Sequence, residues 1–264
     1  MKNSLYFLFA FFYNIVCQSQ NTEYLDSISN SIISLTKKEQ INVINNIPFD
    51  KVVGDIKNYQ ILNEKAILYS QELKDSLLLA NSLERKILSL HFSTQTEEVI
   101  KVSLQAAKIY EKLNKPVKVG ETYCNLGWKI KYLDAVKAFE YMQQGIRILE
   151  KNIDLKAINP AYDNFGALFG IQKQWDSAFY YHKKSLKIKK QLKDSVGIPF
   201  GYSHLANVNL KIGEYTLAEK YLDSALFIRQ NRNDIYGLAD TYLYYGDLYF
   251  EKKDYKKAIE SFKK

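Results

Sequence analysis

YSHLANVNLKIGEYTLAEKYLDSA, residues 202–225, reads as two helices and the turn between them. Tyr202, Leu205, Ala206 and Asn209-Leu210 recur at three- and four-residue spacing, the rhythm of one helix face. Ile212-Gly213-Glu214 breaks that rhythm, and Gly213 suits the left-handed conformation that ends a helix. Tyr215, Ala218, Leu222 and Ala225 then restart it. The stretch predicts an antiparallel helix pair joined by a tight turn.

The same pattern recurs along the chain. Ala138, Ala178, Ala218 and Ala258 are spaced 40 residues apart, and Tyr123, Tyr162, Tyr202 and Tyr242 are spaced 39, 40 and 40. Four residues after each tyrosine stands a small residue: Gly127, Gly166, Ala206, Gly246. Just before it stands a bulky one: Leu126, Phe165, Leu205, Tyr245. Trp175, Tyr215 and Tyr255, and likewise Ile148, Ile188 and Ile228, keep the period of 40. A fixed period of this length marks a stacked repeat, in which each unit buries its apolar face against its neighbours. The small residues have a steric reason. Helices packed face to face lie about 8–10 Å apart, and the close end of that range needs short side chains at the crossing. The expectation is that Gly or Ala on the first helix meets Ala on the second. Asp194-Ser195 and Asp234 offer side-chain oxygens to cap the helix that opens the next period.

The sets Tyr202…Leu205-Ala206…Gly213-Glu214-Tyr215…Ala218…Ala225 and Tyr242…Tyr245-Gly246…Asp254-Tyr255…Ala258 resemble tetratricopeptide repeats of the 40-residue variety. The resemblance runs from about Pro116 to Lys264 and is weaker over 76–115, where Ala106 lies 39 before Gly145 and Ile109 lies 39 before Ile148. Further back, Ala66, Leu73 and Asp75-Ser76 lie 119 before Ser185, Leu192 and Asp194-Ser195, while residues 22–60, interrupted by Pro48, carry the least signal. The resemblance implies an all-α fold, a right-handed α-α superhelix (solenoid) of stacked antiparallel helix pairs. The expected organisation is a signal peptide over 1–19, irregular leading helices and a degenerate repeat over 20–75, and a degenerate repeat over 76–115. Full repeats follow over 116–154, 155–194 and 195–234, with a repeat cut short in its second helix over 235–264. The sequence stops at Lys264 without a polar closing helix, so the natural chain is expected to continue.

In proteins of this family the first helices line an inner, concave wall. The positions one and five after each repeated tyrosine are then Cys124 and Trp128, Asp163 and Ala167, Ser203 and Asn207, Leu243 and Asp247. Eight and nine after it come Lys131 and Tyr132, Gly170 and Ile171, Leu210 and Lys211, Phe250 and Glu251. From these the expected partner-binding residues are Trp128, Lys131, Tyr132, Asp163, Ser203, Asn207, Leu243, Asp247 and Phe250. Trp128, Tyr132 and Phe250 are suited to anchor apolar side chains of a partner; the alternative is that they touch the adjacent repeat. Some family members clamp a terminal carboxylate with a Lys or Arg and an Asn at the first two of these positions. Asn207 matches one element, but Cys124, Asp163, Ser203 and Leu243 supply no cation, so no such clamp is expected.

Composition agrees with a helical repeat. Hydrophobic residues make up 47% of the 264, which excludes wholesale disorder, and Gly (11) and Pro (4) are too sparse for a loop-rich β fold. The net charge of +8 is spread among acids, as in Glu219-Lys220 and Asp254 to Lys257, which reads as a solvated helix face and not a nucleic-acid surface. Lys2 precedes an apolar run, Leu5 to Val16, interrupted by Tyr13 and Asn14. A membrane helix takes about 20 residues; this shorter run fits a secretory signal peptide cleaved after Ser19. Alternatively Cys17 is the lipidated cysteine of a bacterial lipoprotein, although Val16 before it is not small. Cleavage leaves Cys124 as the one thiol, with no intrachain disulfide.

No Gly-rich phosphate loop, paired-Cys metal pattern or His-Glu-x-x-His occurs. His182 occupies the slot of Met142, Leu222 and Phe262 and is read as a packing residue; His204 shares its slot with Asn125, Asn164 and Tyr244 and is read as a single hydrogen-bond donor. His91 is given no role. Cys124 is read as a semi-buried structural cysteine. No catalytic residue, metal ligand or cofactor is expected. The reading is a scaffold that binds a protein or peptide in its groove. The export signal with 40-residue repeats resembles the outer, periplasmic part of bacterial sensor histidine kinases or helix-turn-helix regulators. There a ligand shifts the curvature of the array, and an apolar span of about 20 residues is expected beyond Lys264. The alternatives are a free-standing periplasmic or surface scaffold, and an enzyme whose catalytic part lies outside this sequence. A leucine at position 218 overpacks the helix crossing: Ala218→Leu is expected to lower stability by roughly 1–3 kcal/mol in a denaturant melt.

Overall fold

The computed structural model describes residues 23–90 and 96–264. The expected signal peptide over 1–19, with Cys17, and His91 lie outside the described residues. Every regular element among the described residues is an α-helix, as expected from the repeat. The chain divides into two compact units, Met1–Leu133 and Asp134–Lys264.

The first unit contains α1 (23–31), α2 (Lys37–Asn45), α3 (Phe49–Gly54), α4 (Ile56–Glu72), α5 (Ser76–Ser89), α6 (Thr96–Lys112) and α7 (Pro116–Ile130). Thr36 and Glu39 start α2 with a reciprocal capping box, and Pro48 holds the extended turn before α3. The leading helices bury Leu25, Ile32, Ile41, Ile44, Ile47 and Val52 in one core with Tyr59, Leu62 and Ala66 of α4 and Leu78 of α5. Arg85 of α5 ties this layer to the repeats, donating from Nε to the Tyr59 hydroxyl at 3.2 Å and from Nη2 to the Ile47 carbonyl. Pro116 stands at the first position of α7, where an N–H has no helical partner to lose.

The second unit contains α8 (Ala135–Asn152), α9 (Leu155–Ile171), α10 (Trp175–Gln191), α11 (Gly197–Lys211), α12 (Tyr215–Asn231), α13 (Ile235–Glu251) and α14 (Tyr255–Phe262), each packed against the next. Ala138, Ala178, Ala218 and Ala258 are all buried, as the crossing argument requires. In two of the periods the glycine of the first helix also receives a ring. A Cβ placed on Gly166 would lie 2.9 Å from the ring of His182, and one on Gly246 would lie 2.2 Å from the ring of Phe262. In these two periods the glycine of the first helix receives the ring four residues after the alanine of the second, while in the period between them Ala206 shares a core with Ala218 and Leu222, small against small as expected. The ring needs the depth that a missing Cβ leaves. Phe139 of α8, Phe165 and Phe169 of α9 and Tyr181 of α10 extend this packing, with ring centroids 4.7–5.4 Å apart. Each such pair adds about 0.5–1.5 kcal/mol beyond its buried area.

The turns share one construction. Between periods Lys74, Asn114, Ile153, Lys193 and Asn233 have φ of +52° or +53°; within periods Lys173, Gly213 and Lys253 have φ of +59°, +83° and +61°. The sequence marks this conformation at Gly213 and, more weakly, at Asn114 and Asn233; lysine and isoleucine carry no sign of it. The residue after each closes the old helix with its backbone, as when the Asp194 N–H donates to the Lys189 carbonyl at 2.9 Å and the Asp234 N–H to the Arg229 carbonyl at 3.0 Å. Where that residue is an aspartate (Asp75, Asp154, Asp194, Asp234 and Asp254) its side chain also opens the new helix. Asp194 Oδ1 accepts from the Gly197 N–H at 2.8 Å and Asp234 Oδ1 from the Gly237 N–H at 2.9 Å. Ser195, expected beside Asp194 as a cap, instead accepts from Arg232 Nη1 at 2.6 Å. Leu133 stands where the 40-residue period would place another left-handed residue, before Lys173, and it does not adopt that conformation. The boundary between the two units falls there, inside the period expected over 116–154.

Ile153 is the β-branched member of this set, and its Cβ crowds the backbone at φ +52°. Ile153→Gly is expected to raise stability by about 1 kcal/mol, and Gly213→Ala to lower it by about the same amount, in paired denaturant melts.

Candidate functional site

The expected groove positions divide sharply by environment. In the first unit, Lys131 folds back over α7: its Nζ lies 4.0 Å from the ring centroid of Trp128 and 4.7 Å from that of Tyr132, and donates to the Trp128 carbonyl at 3.0 Å. Trp128 is half-buried with a cation already on its face, and Tyr132 is exposed. In the second unit Ser203 is buried, and its Oγ has no hydrogen-bond partner. Asp163 is almost enclosed, and Asn207 is half-buried. The burial of Ser203 and Asp163 corrects their expected place on an open wall: α9 and α11 each pack against helices before and after them. Leu243, Asp247 and Phe250 of α13 do face solvent, with Leu243 and Phe250 each 56% exposed. Tyr236, seven residues before Leu243 and missed by counting forward from Tyr242, is 92% exposed and extends the same stripe. Asp240, between Tyr236 and Leu243, is partly exposed and accepts from Arg229 at 3.0 Å.

Asp163 sits at a junction of α9, α10 and α11. Its Oδ1 lies 3.4 Å from Nδ1 of His182 and 3.4 Å from Nδ1 of His204, and its Oδ2 pairs with Lys189 Nζ. Burial alone would raise the Asp163 carboxyl; the hydrogen bonds from the two histidines and the charge of Lys189 outweigh it and hold the group far below the usual carboxylate range. Burial pushes the His182 imidazole down, against the pull of Asp163. His182 fills the packing slot that the repeat assigned to it, against Gly166, and in addition takes part in this cluster. The signal was present in the sequence as three departures from the repeat, one in each slot, but nothing in their spacing showed that they converge.

A cavity of about 370 Å³ in the first unit is lined by Phe49 of α3, Glu84, Arg85 and Leu88 of α5, and Trp128 and Lys129 of α7. Burial pushes the Lys129 ammonium down to about 8, with the charge of Lys131 adding to the effect, and its Nζ has no hydrogen-bond partner. Burial pushes the Glu84 carboxyl up, opposed by Lys118 and by a 3.0 Å hydrogen bond from Thr122. Cys124 is buried, and its thiol is pushed up to about 12 by burial and by Glu121. A thiol so held is a packing group, not a nucleophile.

Comparison with known proteins places the helix pairs. Residues 200–264, which hold α11 to α14, match the family model for the tetratricopeptide repeat. Residues 200–264 carry tetratricopeptide repeats. The likeness of the fold extends beyond that match. The chain is similar to BtubC (BKLC) from P. vanneervenii, at 20% identity over 83% of this chain and 92% of that one, with a TM-score of 0.64. It is also similar to a signal-transduction ATPase with a tetratricopeptide-repeat sensor from Pyrococcus horikoshii, at 12% identity over 91% of this chain but only 38% of that one, with a TM-score of 0.71. Aspartyl phosphate phosphatase F from Bacillus subtilis gives 17% identity over 91% of this chain and 73% of that one, with a TM-score of 0.68. At these identities the likeness is one of fold alone. No curated protein matches the chain.

Lys129 gives the first unit a measurable pH dependence. Its folded value of about 8 lies below the 10.5 of an ordinary lysine, so the fold disfavours the charged form. That cost is fully present below pH 8 and fades as pH rises towards 10.5, where the unfolded chain also loses the proton. Lys129→Met is therefore expected to melt higher than the parent at pH 7, with the difference closing by about pH 10.5.

Proposed function

We propose that the chain is a protein- or peptide-binding tetratricopeptide scaffold. The observation that carries this reading is the exposed stripe of α13. Tyr236, Leu243 and Phe250 present apolar side chains along one helix face, with Asp240 and Asp247 between them. Aromatic and aliphatic anchors flanked by acids suit a partner segment with apolar side chains spaced among lysines or arginines. The cavity beside Trp128 and Phe49 offers the first unit a separate pocket for an apolar side chain. A protein of similar fold, a Rap protein, has been crystallised with competence and sporulation factor, at 14% identity to this chain and a TM-score of 0.65. That kinship of fold supports a peptide or protein as the ligand class.

The finer reading is that these repeats form the sensory region of an exported bacterial signalling protein, facing the periplasm. The apolar run from Leu5 to Val16 supports export. The tetratricopeptide-repeat sensor of the P. horikoshii ATPase supports a sensing role for the fold. No described helix is long and apolar enough to cross a membrane. Peptides selected from a random library against the chain are expected to be rich in basic and apolar residues. They are expected to bind Leu243→Ala/Phe250→Ala at least about 10-fold more weakly while the variant keeps the parent's melting curve. Selected peptides that bind parent and variant equally would remove α13 from the binding site.

A further inference from the structure

We propose that Asp163, His182 and His204 form a binding site for one divalent transition-metal ion of the zinc class. The proposal is independent of the partner-binding reading and uses none of the α13 stripe.

Geometry carries the case. One ligand atom from each of the three residues lies within 4.8 Å of the others. Both imidazole Nδ1 atoms stand 3.4 Å from the same carboxylate oxygen, Asp163 Oδ1. That separation is long for a hydrogen bond, which centres on about 2.9–3.0 Å. Those two separations match the edge of a tetrahedron around zinc; the widest separation in the cluster, up to 4.8 Å, exceeds that edge and closes on binding by rotation of the partly exposed His204 ring. Zinc holds His nitrogen and carboxylate oxygen at about 2.0–2.2 Å, and a tetrahedral edge is about 1.6 times that, or about 3.3–3.5 Å. Two imidazoles and one carboxylate select zinc, cobalt, nickel or copper over magnesium or calcium, which take oxygen ligands.

The sequence supplies an independent argument. The slot of Asp163 holds Cys124, Ser203 and Leu243 in the other periods; the slot of His182 holds Met142, Leu222 and Phe262; the slot of His204 holds Asn125, Asn164 and Tyr244. Three metal-ligand side chains replace these residues, and the fold brings all three to one point from three helices, α9, α10 and α11. Packing alone requires none of them: a Met, Leu or Phe fills the His182 slot elsewhere.

The surroundings complete the site. Lys189 pairs with Oδ2 and leaves Oδ1 facing the imidazoles. The side chains of His182 and Asp163 are 6% and 15% exposed, while that of His204 is 34% exposed. The fourth coordination position therefore opens to solvent beside His204 and takes water or an anionic group. Three protein ligands with one open place is the arrangement that can present a metal to an exogenous ligand.

The test uses the full chain, stripped with a chelator, then titrated with ZnCl₂ by calorimetry and with CoCl₂ by visible absorption. One zinc per chain, a raised melting temperature and the ligand-field bands of tetrahedral cobalt are expected. His204→Ala changes a partly exposed side chain, and His182→Leu places the residue found in that slot of the following repeat, so each variant is expected to fold without metal. Each is expected to weaken zinc binding at least 10-fold, and the cooperative melt of the stripped variant is the control; either variant that folds decides the matter. Absence of stoichiometric zinc binding in the parent, or binding unchanged in a folded variant, overturns the proposal.

Discussion

A side chain that ends at its Cα or Cβ lets two helices come close enough for a ring on one to fill the hollow in the other. Gly166 with His182 and Gly246 with Phe262 show this contact, and the buried alanines at 138, 178, 218 and 258 keep the same helices near. The contact accounts for the period itself. Each helix pair needs one small residue, one bulky side chain opposite it (Met142, His182, Leu222 or Phe262) and one alanine at fixed offsets, and the pair must recur at a constant spacing for neighbours to stack. The aromatic chain through Phe139, Phe165, Phe169 and Tyr181 shows the same demand met with larger groups where a wider gap has to be filled.

Close nesting works only if each turn reverses the chain in very few residues. Here a left-handed residue and, at five of these eight turns, a capping aspartate after it do so together. One residue ends the old helix, and the next both satisfies an orphaned carbonyl behind it and caps the N–H groups ahead of it. A lysine at +53° or +61° is a local cost, outweighed by the two capped helix ends and the packing that follows. At Leu133 this device is missing, and the contact pattern of the chain divides at that point into two units.

With packing assigned to a few slots, the remaining positions are free to differ from repeat to repeat. In the second unit those differences take two forms. On α13 they leave an apolar and acidic stripe in solvent. At the junction of α9, α10 and α11 they gather a carboxylate, two imidazoles and an ammonium in a nearly enclosed space. Neither continues the repeat, and a function specific to this chain has to reside in such departures, because the repeat slots serve the fold.

How much of this was legible without coordinates depends on the range of each interaction. The helices, their pairing, the capping by Asp194 and Asp234 and the burial of the four alanines were readable because helix hydrogen bonds and caps span four residues and the pattern is copied along the chain. The left-handed turns at lysine were not, since lysine, unlike glycine or asparagine, leaves no local mark of that conformation. The openness of a given wall position was not either. Ser203 and Leu243 occupy the same slot, yet one is buried and the other exposed, because burial depends on which helices stand on either side. Phe49, Glu84 and Lys129 surround one cavity from three helices, and Asp163, His182 and His204 meet from three others. Sequence alone determined the repeat and what each slot must hold for helices to nest. Only the tertiary structure decided which departures from the repeat meet, because the rotation and neighbours of each helix are set by packing across the stack.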